Sequence, residues 1–263
     1  MQVISSKDNE IVKNIRKLKE KKYRDLENAF LIEGIKLLKE AIIEKAKIKQ
    51  IVICEDYPTN EINQEFMFEI AKNNLVYVTK QVFSLLTDVK TPQGIIAVIE
   101  KNSENNIIDY SQDIIVALDD LQDPGNLGTI LRTVDSANLN QIILSKNSAD
   151  PYNPKVVRST MGAIFRVNII ETENIVQKLK EAKQNNFKVM VTALDAKNNI
   201  YETDFNKKVI VIGNEANGVS EEVQKLADEK VIIPMLGKTE SLNASVASGI
   251  MIYEYVRRKF VTG

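Results

Sequence analysis

The sequence contains no histidine and only one cysteine. Without imidazole the usual general base near neutral pH and the commonest metal ligand are both missing, so Ser-His-Asp hydrolysis and zinc chemistry are excluded, and no metal is expected. The single thiol, Cys54, lies in the apolar stretch Ile51-Val-Ile-Cys and reads as a small core residue rather than a redox centre. No apolar run approaches the roughly 20 residues that a membrane-crossing helix needs. The opening Met1–Glu10 is polar and holds no signal-type apolar core, so a cytoplasmic location is the expectation. Excess charge is also lacking: the formal net charge is −1 over 263 residues. Attraction of the whole molecule to nucleic acid is therefore not expected, and any RNA-binding surface has to be local. No Gly-x-Gly-x-x-Gly follows a strand and no Gly-x-x-x-x-Gly-Lys-Ser/Thr occurs, so ordinary dinucleotide and P-loop sites lose support.

What is present fits a folded protein with a real core, since 44% of residues are hydrophobic and 27% charged. The length allows two modest domains. Ile11, Ile15 and Leu18 fall at helical spacing among Lys13, Arg16, Lys17, Lys19, Lys21, Lys22 and Arg24. This predicts a basic helical extension over residues 1–29, read either as a solvated face or as a phosphate-contacting one. From Phe30 to Glu100 the pattern alternates. Helices are expected near 34–43, 65–72 and 81–86, and strands at 48–53, 75–78 and 95–99, making a small α/β domain. The polar stretch from Lys101 marks a linker over 101–111. Beyond it, the apolar runs 114–118, 142–144, 189–194, 209–212 and 231–233 alternate with helical patterns, as a parallel sheet covered on both faces requires. One covering helix is expected at 175–183, with Ile175, Leu179 and Ala182 inward.

Ligands of open α/β sheets gather at the carboxyl ends of strands, so the residues after each run carry the interest. Three segments stand out. Asp119-Asp-Leu-Gln-Asp-Pro-Gly-Asn-Leu-Gly-Thr-Ile-Leu-Arg runs from a strand into a helix. Gly125 and Gly128 suit either a phosphate-binding turn at a helix start or a plain turn, and Arg132 falls one helical turn past Gly128. Val209-Ile-Val-Ile-Gly213-Asn-Glu215 puts a carboxylate at a strand mouth, either working there, capping the next helix or pairing with an arginine. The third segment, from Ile232 to Ile250, places Ser241 and Asn243 at a helix start followed by the small residues Ala244, Ser245, Ala247, Ser248 and Gly249, which suit close packing. Leu242, Val246, Ile250 and Tyr253 form an apolar stripe.

In this order the three segments resemble the signature motifs of the SpoU (TrmH) branch of the SPOUT RNA methyltransferases. The resemblance covers about Gln112 to Gly263 and includes Arg158-Ser-Thr-Met-Gly-Ala-Ile-Phe-Arg-Val. Phe30–Glu100 more weakly resembles the family's substrate-binding domain, which is related to ribosomal RNA-binding proteins. Asn138 stands where glycine is common, and Ala244 where valine is common. The resemblance implies a methyltransferase domain over 112–263, with a parallel sheet threaded into a deep trefoil knot. It implies S-adenosylmethionine as cofactor, held by backbone at Gly213, Ile233 and Leu242 with Met235 and Leu194 lining the pocket. Asn126, Arg132, Glu215, Ser241 and Asn243 match the family's active-site polar residues, and Arg158 joins the basic N-terminal residues as a candidate RNA contact. Homodimers meeting through the C-terminal domain are implied as well. The reaction implied is methylation of a ribose 2′-hydroxyl in RNA, ribosomal RNA being favoured by the first domain. Transfer RNA methylation, antibiotic-resistance methylation and noncatalytic RNA binding on the same fold stay open.

Overall fold

The computed structural model describes residues 3–58, 62–102 and 107–262. Contacts divide the chain into two units: Met1–Ser103 together with Tyr152–Phe165, and Glu104–Pro151 together with Arg166–Gly263.

The first unit contains β1 (Val3–Ile4), α1 (Glu10–Lys17), α2 (Lys21–Leu26), β2 (Ala29–Glu33), α3 (Ile35–Ile43), β3 (Ile48–Cys54), α4 (Gln64–Ala71), β4 (Leu75–Val78), α5 (Lys80–Leu86) and β5 (Ile95–Glu100). Its sheet runs β1-β4-β3-β5-β2, with β5 antiparallel to both β3 and β2 and the other pairs parallel. Strand β2 went unforeseen because four of its five residues are buried in succession, leaving no alternation to detect.

Residues 1–29 are not an extension. Val12, Ile15 and Leu18 lie in the same apolar core as Val52, Val82 and Phe83, and β1 pairs with β4. The single basic helix expected there is two helices. Between them Arg24 is only 2% exposed, and its Nη1 donates to the carbonyls of Leu18 at 2.8 Å and Lys19 at 2.7 Å. It satisfies orphan carbonyls at the end of α1. A desolvated guanidinium committed to backbone cannot also contact RNA, so Arg24 leaves the set of candidate RNA contacts.

In the second unit come β6 (Ile114–Leu118), α6 (Pro124–Ser136) and β7 (Gln141–Ser145). The next helix, α7 (Pro154–Thr160), belongs to the first unit, where it packs on β2. The methyltransferase-like segment expected over 112–263 is thus interrupted, and Arg158 is a residue of the first unit. The second unit continues with β8 (Asn168–Thr172), α8 (Ile175–Gln184), β9 (Lys188–Thr192), β10 (Asn198–Asn199), β11 (Lys208–Ile212), α9 (Glu221–Leu226), β12 (Glu229–Ile232) and α10 (Ala244–Thr262).

All pairings of the order β10-β12-β9-β11-β6-β7-β8 are parallel. Strands β6, β7 and β11 are buried along their whole length, the environment that runs of valine, isoleucine and leucine specify. Helix α8 buries Ile175, Leu179 and Ala182 as its spacing predicts. Asn138, at φ 55°, takes the left-handed position just past α6 that glycine would otherwise fill.

Of the linker expected over 101–111, residues 103–106 lie outside the described residues. Lys101 donates its amide to Asn28 and pairs with Asp25 in the first unit, whereas Ile108 is already in the core of the second. Helix α10 buries Ser248, Met251, Ile252 and Tyr255, leaving the expected stripe residues Val246 and Tyr253 about half exposed. A Cβ on Gly249 would meet nothing within 4 Å, so close packing does not explain that glycine.

Candidate active site

Strands β6, β11, β9 and β12 are neighbours, so the loops at their carboxyl ends lie side by side. The chain runs from β6 to β7 on one side and later places β11 on the other, which makes the gap between β6 and β11 a switch point of the sheet, where open α/β folds bind ligands.

The loop after β6 does not form a glycine turn. Helix α6 starts at Pro124, with Asp123 as its cap accepting from the Asn126 amide at 2.8 Å, and both Gly125 and Gly128 are helical. A carboxylate already occupies the end where an anion would dock, so the phosphate reading of this helix start is withdrawn. Gly128 is buried and Arg132 exposed, so the two do not share a face.

Glu215 reaches from the loop after β11 to the loop before α6. Its carboxylate accepts from the amides of Gln122 (3.1 Å) and Asp123 (3.0 Å) and from Asn126 Nδ2 (2.9 Å). It does not cap the following helix, which begins after Ser220, and it pairs with no arginine among the described residues. Burial pushes its pKa up, but the hydrogen bonds from Asn126, Gln122, its own amide and Asp123 outweigh that and hold it below the ordinary carboxylate value. The other end of the Asn126 amide, Oδ1, accepts from Asn243 Nδ2 at 3.0 Å. Asn243 Oδ1 in turn accepts from the amides of Ser245 and Val246, capping α10. One side chain, Asn126, thereby joins all three loops.

Beside this chain of bonds lies a cavity of about 420 Å³, within the range of small-molecule sites. Leu194, Gly213, Ile233, Met235 and Leu242, the five residues proposed to hold a cofactor, all line it, together with Glu215, Ser241 and Asn243. Asn126 and Arg132 are not among the lining residues. Arg132 is exposed and has no hydrogen bond or ion pair among the described residues.

The donor set fits an adenosyl group with a charged amino-acid tail. Aliphatic walls from Leu194, Ile212 and Leu242 suit the flat heterocycle, and the hydroxyls of Thr192 and Ser241 suit the tail. Glycine at position 213 is a requirement of the main chain. A Cβ there would stand 2.1 Å from Gly218 C and Val219 N, so glycine is required first by the tight bridge between Asn214 and Gly218, and only through it by the cavity.

Sequence reading missed Asp119, Asp120 and Asn214. Asp119 Oδ2 accepts from the Ser220 amide at 2.7 Å, and Asn214 Nδ2 donates to Asp120 O at 2.9 Å. Their signal was available: each follows a buried apolar strand, where an uncommitted polar group is costly.

Comparison with known proteins agrees with this geometry. Residues 113–253 match the SpoU rRNA methylase family, and residues 9–97 match the MRM3-like substrate binding domain. The 23S rRNA (guanosine(2553)-2′-O)-methyltransferase RlmP of Bacillus subtilis strain 168 is 32% identical over 254 residues, spanning 96% of this chain and 98% of that protein. The AdoMet-bound rRNA methyltransferase from Sinorhizobium meliloti is similar at a TM-score of 0.86 and 33% identity, covering 98% of both chains. A solved RNA 2′-O ribose methyltransferase has a TM-score of 0.81 at 28% identity, covering 98% of this chain and 100% of that one. The chain belongs to the SpoU methylase family.

Proposed function

We propose that the chain is an S-adenosylmethionine-dependent RNA methyltransferase that modifies a ribose 2′-hydroxyl of ribosomal RNA. The observation that carries this is the Glu215–Asn126–Asn243 chain of hydrogen bonds. It draws three family loops together beside a cavity of suitable size and lining. S-adenosylmethionine, when bound, supplies a methyl group on a positively charged sulfur.

The protein's own contribution is to place the poorly nucleophilic hydroxyl and to manage charge. Backbone at Gly213, Ile233 and Leu242 holds the cofactor, with Leu194 and Met235 closing the apolar wall. Asn126, Glu215, Ser241 and Asn243 hold the loops and orient the ribose. The Arg132 guanidinium anchors an RNA phosphate and stabilises the charge developing on the oxygen, whose proton leaves to phosphate or solvent.

In the first unit Arg16, Lys17, Lys21 and Lys22 are exposed, and Lys17 and Lys22 Nζ lie within 5.8 Å of the Tyr23 ring centroid. We assign them to RNA phosphates, with Arg158 as a further contact. Lys13, whose ammonium lies 3.5 Å from Glu10, is the weaker candidate of this set. A likeness of this domain to ribosomal RNA-binding proteins fits its mixed five-stranded sheet. A knotted C-terminal path fits the order of β6, β11, β9 and β12. A homodimer fits the exposed Val246, Tyr253 and Phe260, spaced seven residues apart on α10.

The test is methyl transfer from labelled cofactor to ribosomal RNA that lacks the mark, with mapping of 2′-O-methylated nucleotides. Transfer is expected at one nucleotide and is abolished by 2′-deoxy substitution there. Label found on a base, or no transfer to any RNA, overturns the reading.

A further inference from the structure

Asp119 and Asp120 follow β6 directly, and their main chain takes an unusual path. Asp120 has φ 57°, in the left-handed region that side chains other than asparagine and aspartate seldom adopt. Asn28, Lys45, Asn138, Met161 and Asn186 share that conformation at helix ends, where it is the ordinary way to stop, and Lys207 takes it just before β11. Asp120 instead stands at the carboxyl end of a central strand.

Four hydrogen bonds hold it there. Its amide donates to Ser145 Oγ at 2.7 Å, and Ser145 Oγ donates to its Oδ1 at 2.5 Å. Asn147 Nδ2 donates to Oδ2 at 3.1 Å, and the carbonyl of Asp120 accepts from Asn214 Nδ2 at 2.9 Å. Ser145 and Asn147 come from the end of β7 and the loop beyond it, which lines no part of the cavity.

The turn carrying Glu215 is therefore gripped on both flanks. Asp120 holds Asn214 before it, and Asp119 holds the Ser220 amide after it. Asn214 Oδ1 closes the turn itself by accepting from the amides of Ala216 and Asn217. A shift of Asp120 moves Glu215 relative to the Gln122 and Asp123 amides and to Asn126.

We infer that Asp120, locked in its left-handed conformation by Ser145 and Asn147, is a positioning residue that sets the register between the Glu215 turn and the start of α6. It does not line the cavity and acts through Asn214 and Glu215. The inference rests on the functional reading above for its kinetic consequence, but not for its structural one.

Three replacements separate the contributions. Glycine adopts the conformation freely but has no side chain to lock it; asparagine adopts it and keeps an acceptor for Ser145, while Asn147 can turn its amide to match; Ser145→Ala removes the lock from the other side. Asp120→Gly and Ser145→Ala are expected to lower kcat by about tenfold to a hundredfold with cofactor affinity and RNA affinity within about twofold of the parent, because misplacement costs rate rather than binding. Asp120→Asn is expected to restore kcat to within about threefold.

Amide hydrogen exchange supplies a readout independent of turnover. The Gln122 and Asp123 amides are expected to exchange about tenfold faster in Asp120→Gly and at the parent rate in Asp120→Asn. Parent-like kcat or parent-like exchange at these two amides in Asp120→Gly overturns the inference, as does a loss of kcat matched by an equal loss of cofactor affinity. Absence of RNA methylation by the parent protein would instead overturn the functional reading, and the exchange experiment would still decide the role of Asp120.

Discussion

The two ends of the parallel sheet treat a glutamate in opposite ways. At the carboxyl ends of the strands, Glu215 is exposed, accepts from three N–H groups and has no cationic partner among the described residues. At the amino ends, Glu229 opens β12 beside Lys208, which opens β11, is 1% exposed and lies 2.5 Å from the carboxylate. The second pair ties two strand starts together with charge removed from water. The first ties loops together beside a cavity. Polar groups spent on each other are structural, whereas polar groups that hold open a site leave capacity for a ligand.

That contrast can be broken or sharpened in order of expected effect. Arg132→Ala should reduce methyl transfer by about a hundredfold to a thousandfold, as loss of one charge-stabilising group typically does, with cofactor affinity by calorimetry within about twofold. Near-normal turnover would remove Arg132 from its assigned role. At the opposite end, Lys208→Met should cost about 1–3 kcal/mol in urea unfolding by leaving Glu229 with Lys188 alone, 3.7 Å away, with kcat of the folded fraction unchanged. Adding Glu229→Leu should recover most of that loss; failure to recover would show that the pair was not the reason for the damage.

Glycines give a finer version of the same comparison. Gly213→Ala places a Cβ 2.1 Å from the Gly218 and Val219 backbone and should cost about 2 kcal/mol or more in thermal unfolding. Gly249→Ala, with open space around it in α10, should stabilise by about 0.5–1 kcal/mol. Equal effects at the two sites would refute the close-approach reading of Gly213.

Titration offers the smallest effect. Because hydrogen bonds hold the folded pKa of Glu215 below its ordinary value, its contribution to stability is fully present above that value and is lost as pH falls through the folded pKa. The stability difference between the parent and Glu215→Gln should therefore be flat above about pH 5 and shrink in stronger acid. A difference that grows on acidification would reverse the assigned sign.

Much of this was legible in the residues. Unbroken runs such as Ile114–Leu118 and Val209–Ile212 identified buried parallel strands, and residues just past those runs supplied Glu215 and Gly213. Ser241 and Asn243 were legible as a helix start, and Asn243 does cap α10. Strands β8 and β10 were not legible, since Asn168–Thr172 mixes polar and apolar residues and Asn198–Asn199 is too short for any period. The basic run up to Arg24 misled because charge in a sequence says nothing about which cation folds inward.

Residue order alone determined the alternation of buried strands and covering helices, the exclusion of imidazole chemistry, and the family signature at the strand ends. Which partners those polar groups take was decided only in three dimensions. Glu215 meets Gln122, Asp123 and Asn126 across about ninety intervening residues. Gly213 is compelled by a backbone five residues further along that turns back on it, and Arg24 is desolvated by two carbonyls. Hydrogen bonds are short-ranged and directional, so their pairing follows from the packing of the sheet and not from spacing along the chain.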